Sequence, residues 1–559
     1  MLRLDNARVV DPVHGLDAAP RSLFVRDGRM VADPGPDDPV DRSIDLQGAL
    51  VMAGALDIHT HIGGGKINVA RGLLDEDHQL GLRAGEQLPD GSWMHAACGH
   101  ATPTTWATGY RYAEMGYTAC FEPAMLPLGA RQAHMELADT PMVDKGAYVM
   151  LGNDDYLLRL LAQGAPAARV ADYVGWMVRH TQALAVKVVN PGGISAFKFN
   201  QRALDFDARH PYYGVTPRQV LQALARAVHE LGLPHPLHVH ASNLGVAGNV
   251  ASTLATMEAA EGLPLHITHI QFHSYGTEGE RRFSSAAEAI ADAVNRLPNI
   301  SIDVGQILFG QTITASGDTM AQFANHRHAD PKAWTCMDIE CDAGCGVVPF
   351  RYRDKQFVNA LQWTIGLELF LRVNDPWRVF LTTDHPNGAP FTSYPHLMRL
   401  LMDRDFRNRQ LDALHADVAS HSQLRALPRE YSLSEIAIIT RAAPARALGL
   451  HDRGHLGPGA VADIVAYREQ DDIEAMFARP THVFKDGELI VRDGRVVHAV
   501  QGRVHTAEPE FDPAVERDLD EYFGRYMTLG LNSFKLGDDE LCACGAPAPL
   551  RHACRRRHA

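Results

Sequence analysis

At 559 residues the chain exceeds one ordinary domain, and its 46% hydrophobic content is enough for a substantial core. A formal net charge of −14 argues against a nucleic-acid or membrane-surface binder, and no apolar run reaches the ~18 residues needed to span a bilayer. The N-terminal MLRLDNARVVDP lacks the apolar centre of an export signal, so the sequence predicts a cytoplasmic protein.

In chain order, residues 2–10, 22–25 and 43–46 place apolar and β-branched side chains between Gly- and Pro-containing turns and predict short strands. From 53 to 448, strand-like apolar runs alternate with helical stretches. Residues 217–231 predict one such helix, with Val220, Leu221, Leu224, Val228 and Leu231 at i, i+3, i+4 spacing. This alternation implies α/β architecture with parallel βα units, either a (β/α)8 barrel with long insertions or a doubly wound sheet. Strand texture returns at 462–467, 481–485 and 488–491, followed by the turn Asp493-Gly494 and the run 495–497. Two β-rich ends predict one small β-sandwich domain built from residues 1–52 and 449–505 around a barrel of 53–448. Residues 506–559 turn polar and end in an Arg-His tail, and are expected to be an interaction or poorly ordered extension.

The chemistry-bearing residues follow apolar strands. VMAGALDIHTH (51–61) ends in His59-Thr60-His61, and residues two apart on a strand face the same side, so both imidazoles converge. PLHVHASN (236–243) brings His238 and His240, LHITHIQ (265–271) brings His266 and His269, and VFLTTDHP (379–386) brings Asp384. Barrel enzymes place their catalytic groups at such strand ends, and imidazole plus carboxylate ligands suit zinc with an open position for water. Between the first two histidine segments lies Lys187, in AVKVV (185–189). Only eight of the 53 basic residues are lysine. A lysine buried there and neutralised can be carboxylated by CO2 to an anionic bridge, which arginine cannot do. Lys198, in AFKF, is the rival.

Five strand ends carrying His-x-His, lysine, histidine, histidine and aspartate resemble the binuclear amidohydrolase superfamily, whose members also build a β-sandwich from both termini. The longer segments VKVVNPGG, HVHASNLGVAGN, THIQFHSYG, GVVPF and LTTDHPNG are similar to the A-subunits of formylmethanofuran dehydrogenases and to their bacterial relative, the alpha subunit of the formyltransferase/hydrolase complex. The resemblance implies a (β/α)8 TIM-like amidohydrolase barrel and two zinc ions bridged by N6-carboxylated Lys187. The ligands it implies are His59, His61, Lys187, His240, His269 and Asp384, with His240 preferred to His238 because it immediately precedes the Ala-x-Asn turn. It implies hydrolysis of the formamide of N-formyl-methanofuran or an analogue to formate and free amine. Asp384 would be general base and then acid, with Asn243, Gln271 and His273 on the substrate side. It further implies partners: a formyltransferase and other subunits of a hetero-oligomeric complex, and a methanofuran-type coenzyme as substrate. Other functions fit parts of the pattern. These are a formate-condensing subunit of a CO2-reducing formylmethanofuran dehydrogenase, a dihydropyrimidinase-like cyclic-amide hydrolase, and an inactive barrel scaffold.

Two further features carry less. Gly63-Gly64-Gly65-Lys66 lacks the spacing and the following Ser or Thr of a phosphate loop. The cysteine groups Cys336/Cys341/Cys345, with His326 and His328 upstream, and Cys542/Cys544/Cys554, with His552, form no even disulfide framework.

Overall fold

Eight short parallel strands organise the middle of the chain: β1 (Ala55–Asp57), β2 (Tyr117–Met125), β3 (Asp144–Met150), β4 (Ala185–Val189), β5 (Leu237–His240), β6 (Leu265–Ile267), β7 (Ile300–Asp303) and β8 (Val379–Phe380). The computed structural model describes residues 1–35, 38–198, 205–318, 345–541 and 546–557. Nearly every strand residue is buried because both faces are covered, one by the barrel interior and one by helices. Pairing runs in chain order from β1 to β8, with Met150 opposite Lys187, Lys187 opposite His238 and Ile302 opposite Val379. A parallel bridge between Thr60 and His385, with the His61 N–H donating to the His385 carbonyl at 2.8 Å, joins the ends of β8 and β1 and closes the barrel. The expected helix is Pro217–Glu230, with a Thr216/Gln219 capping box and Pro217 at its first turn; Val220, Leu221, Leu224 and Val228 form its buried face.

The two termini meet in one nine-stranded sheet. Leu50–Ala53 pairs with Leu2–Asp11 on one side and, antiparallel, with Ile464–Tyr467 on the other. Leu4, Val9, Val51, Ile464 and Phe484 fill its core.

The C-terminal stretch is folded onto the barrel. Val504–Pro509 runs parallel beside the start of β3, across the expected boundary at 505, and Leu550–Cys554 runs parallel outside it. Helix Val515–Tyr526 packs on helix Ala167–His180, where Trp176 Nε1 donates to Glu516 at 3.0 Å. A buried ion cluster ties these parts together: Asp144 at the start of β3 meets Arg453 at 2.7 Å and Lys485 at 3.2 Å, and Lys485 also reaches Asp463 at 3.2 Å.

Cys336, Cys341, Cys542, Cys544, His326 and His328 lie outside the described residues, as do the side chains of Lys198 and Cys345. Among the described residues Cys554 forms no disulfide, and His552 Nε2 sits 2.9 Å from His505 Nδ1.

Candidate metal centre

The C-terminal strand ends bring the predicted residues into one buried cluster. His59 and His61 follow β1, and their Nε2 atoms lie 2.9 and 3.2 Å from Asp384 Oδ1, beyond β8. His59, His269 and Asp384 present ligating atoms within 4.8 Å of one another, and so do His240, His269 and His273. Lys187 is 1% exposed on β4, flanked by the neighbouring strands.

Backbone geometry at the strand ends aims these groups. His269 and Asp384 both occupy left-handed backbone, at φ 36° and 50°. Such conformations in non-glycine residues carry strain and cluster at functional sites. His269 fits only because residue 305 is glycine, at φ +64°: a Cβ there would stand 2.4 Å from the His269 Cβ. Asn387 Nδ2 donates to Asp384 Oδ1 at 2.9 Å and helps hold the carboxylate.

The cluster fits a metal. His240 Nε2, His269 Nδ1 and both ring nitrogens of His273 are buried with no hydrogen-bond partner among the described residues, and His59 Nε2 faces the Asp384 carboxylate. Buried polar atoms are ordinarily paired, so several orphaned imidazole nitrogens facing one another have the chemistry of a cation site. Burial holds His59, His240 and His269 well below the usual imidazole range, which keeps them neutral and able to ligate. Burial also lowers Lys187 to about 8 and raises Asp384 above the ordinary carboxylate value.

His240 and His238 both face the barrel interior, two residues apart. His240 stands beside His269, ring centroids 4.5 Å apart, whereas His238 sits one layer deeper and meets His59 Nδ1 at 2.8 Å. His273, expected on the substrate side, stands near both His240 and His269, with centroids 5.2 and 5.3 Å away. Gln271 Oε1 accepts from the Ile307 N–H at 3.0 Å, and its buried Nε2 has no partner among the described residues. Asn243 occupies left-handed backbone in the turn after β5, and its carbonyl accepts from Asn249 Nδ2 at 3.0 Å.

Three supporting groups escaped the sequence reading. Glu122 on β2 accepts from His61 Nδ1 (3.1 Å) and from the backbone N–H groups of Ile62 (2.7 Å), Gly63 (3.0 Å) and Ala124 (3.0 Å). Burial pushes its carboxyl upward, but His61 and these donors outweigh burial and hold it below its ordinary value. Asp303 at the end of β7 accepts from His266 Nε2 (3.0 Å), the His269 N–H (2.9 Å) and Thr382 (2.7 Å). Asp57 on β1 accepts from Tyr112 (2.6 Å), from Tyr394 and from the His59 N–H (3.1 Å). The signal for each was a lone carboxylate within or at the end of a buried strand.

The chain matches the amidohydrolase family over residues 42–498. It is 44% identical over 543 residues to the A-subunit of the formyltransferase/hydrolase complex Fhc of Methylorubrum extorquens, covering 96% of this chain and 97% of that one. It is 38% identical over 559 residues to protein FwdA of Methanocaldococcus jannaschii, covering 96% of each. The crystal structure of the FhcABCD formyltransferase/hydrolase complex from Methylorubrum extorquens, in complex with methylofuran, superposes with a TM-score of 0.91 at 43% identity, covering 99% of this chain and 100% of that one. D-Aminoacylase superposes with a TM-score of 0.51 at 13% identity, a likeness of fold alone.

Proposed function

The chain belongs to the amidohydrolase family, and from that premise we propose that it is the hydrolytic subunit of a cytoplasmic one-carbon complex. It cleaves the formamide of an N-formyl-methanofuran-type coenzyme to formate and free amine, and works beside a formyltransferase and further subunits. The observation that carries this reading is the cluster of orphaned imidazole nitrogens at the barrel's strand ends, in a chain so similar to the Fhc A-subunit.

His59, His61, His240, His269 and Asp384 would hold two zinc ions, with Lys187, carboxylated on Nζ, as the further ligand between them. The lowered Lys187 amine favours this chemistry, because only the neutral amine adds CO2, releasing a proton as the carbamate forms. When bound, the metals polarise the formyl oxygen and acidify the attacking water.

The protein's own groups manage the protons. Asp384 takes a proton from the water as its oxygen bonds to the formyl carbon, and then delivers that proton to the amine nitrogen as the C–N bond breaks. A carboxyl raised by burial suits the second step, since it keeps the proton until the leaving nitrogen can accept it. Asn243, Gln271 and His273 lie on the substrate side, and Gln271 Nε2 is free to donate to a substrate oxygen.

Substrate discrimination tests the proposal. The metal-loaded chain should release formate and amine in equal amounts from an N-formyl furfurylamine-type compound and leave dihydropyrimidine rings closed. Ring opening without formate release would make it a cyclic-amide hydrolase, and turnover of neither would make it a scaffold.

A further inference from the structure

Beneath the cluster, three buried histidines stand in line. The His235 Nδ1–H donates to the Ala447 carbonyl at 2.9 Å. His235 Nε2 lies 3.0 Å from His238 Nδ1, and His238 Nε2 lies 2.8 Å from His59 Nδ1. All three rings are fully buried. Tyr148 helps fix them, stacked on His235 with centroids 5.3 Å apart and tilted against His238 at 5.1 Å.

Proton counting sets the polarity of this line. A carbonyl only accepts, so His235 must carry its proton on Nδ1. A neutral His235 then has a bare Nε2, which requires the proton in the next gap to belong to His238 Nδ1. That leaves His238 Nε2 bare, so the last gap is filled by a proton on His59 Nδ1. Of the three bare Nε2 atoms, only that of His59 receives no proton from another ring of the line, and it is the atom 2.9 Å from Asp384 Oδ1. Thr268 is compatible with this assignment: its hydroxyl also lies against His59 Nδ1 and, with its own proton directed to Asp303, shares the His59 N–H with His238 Nε2. The origin of the polarity is local. Ala447 closes helix Ala443–Ala447, and a last-turn carbonyl has no partner within its helix.

We infer that His235 and His238 are positioning residues, a relay that carries the polarity of the Ala447 carbonyl across the barrel floor and locks His59 as the Nδ1–H tautomer with its Nε2 lone pair facing the metal centre. The inference rests on the proposed role of His59 as a ligand. A ligating imidazole held by a carboxylate or a backbone carbonyl is the usual arrangement. Here the carbonyl acts through two intervening rings.

Neutron diffraction from crystals of the full chain exchanged into D2O reads the assignment directly. Deuterium is expected on Nδ1 of His235, His238 and His59 and absent from His59 Nε2; deuterium on Nε2 of His238 or His59 overturns the relay. Zinc affinity of the full chain, measured by competition with a chromophoric chelator, gives a second reading. His235→Phe keeps the ring but removes the acceptor and should weaken zinc binding by about 10- to 100-fold. His235→Gln can still accept near the place of Nε2 and should restore most of the affinity. A Phe variant binding like the parent, or a Gln variant as weak as the Phe one, overturns the proposal. His59→Ala separates the two claims: unchanged zinc affinity there defeats the ligand reading itself, whereas loss in His59→Ala without loss in His235→Phe defeats the relay alone. Should the Phe variant fail to fold, the neutron map of the parent still decides.

Discussion

Replacing Glu122 with Gln should disable the metal centre without touching a ligand. Each carboxylate oxygen accepts two hydrogen bonds: Oε2 from the Ile62 and Gly63 N–H groups, Oε1 from His61 Nδ1 and the Ala124 N–H. The amide of Gln keeps one oxygen. Its best placement retains the two backbone bonds from Ile62 and Gly63 and turns the NH2 toward Ala124 and His61. The bond from the Ala124 N–H to a charged acceptor is lost outright, at about 1.5–3 kcal/mol, while the His61 contact is reversed to a neutral one, so the variant should lose about 1.5–3 kcal/mol of stability. The second effect is on chemistry. An NH2 facing His61 Nδ1 forces that nitrogen to accept, which moves the ring proton to Nε2, the atom 3.2 Å from Asp384. Zinc affinity should therefore fall by about 10- to 100-fold, the usual effect of losing a partner that orients a ligand. Urea unfolding and chelator competition measure the two effects. A Gln variant with parental zinc affinity, or one destabilised by less than about 1 kcal/mol, would refute this account of Glu122.

Lys187→Ala should lose bound metal and activity, with partial rescue by short carboxylic acids able to occupy the bridge; full metal and rate in that variant, alongside loss of both in Lys198→Ala, would shift the role to Lys198. Asp384→Asn should retain most of its metal and lose at least about 10²-fold in turnover, the lower bound for general acid–base groups, with a smaller defect on formyl esters whose leaving groups need no proton; loss of metal instead would make Asp384 principally a ligand. Asp144→Asn should lose about 3–5 kcal/mol in urea unfolding, because it strands the buried Arg453 and Lys485. Burial pushes the Asp144 carboxyl up, but those two cations hold it well below 3.8, so the parent keeps this stability above that pH and loses it as the pH falls further, while the variant lacks this acid-dependent loss.

The barrel was legible because its clustered histidines follow apolar strands, where period two fixes which residues face inward. The helix at Pro217–Glu230 followed from its apolar spacing; the Thr216/Gln219 capping box that starts it appears in the structure. Period two could not separate His238 from His240, since both face inward; their positions diverge through depth in the barrel, which depends on the register of β5 against β4. Glu122 and Asp303 were hidden for a related reason. Each is one carboxylate in an apolar run, and its purpose appears only when a neighbouring strand brings His61 or His266 within 3.1 Å. The placement of Val504–Pro509 beside β3 depends on Asp144, 359 positions before Arg503, accepting the Arg503 N–H at 2.8 Å, a pairing no local pattern encodes.

Formate release before and after chelation tests the central claim most directly. The purified chain, treated to remove metal, should stop releasing formate from an N-formyl amine and should recover its rate as zinc is returned to about two equivalents per chain. Undiminished formate release from protein shown by elemental analysis to hold no transition metal would contradict the account.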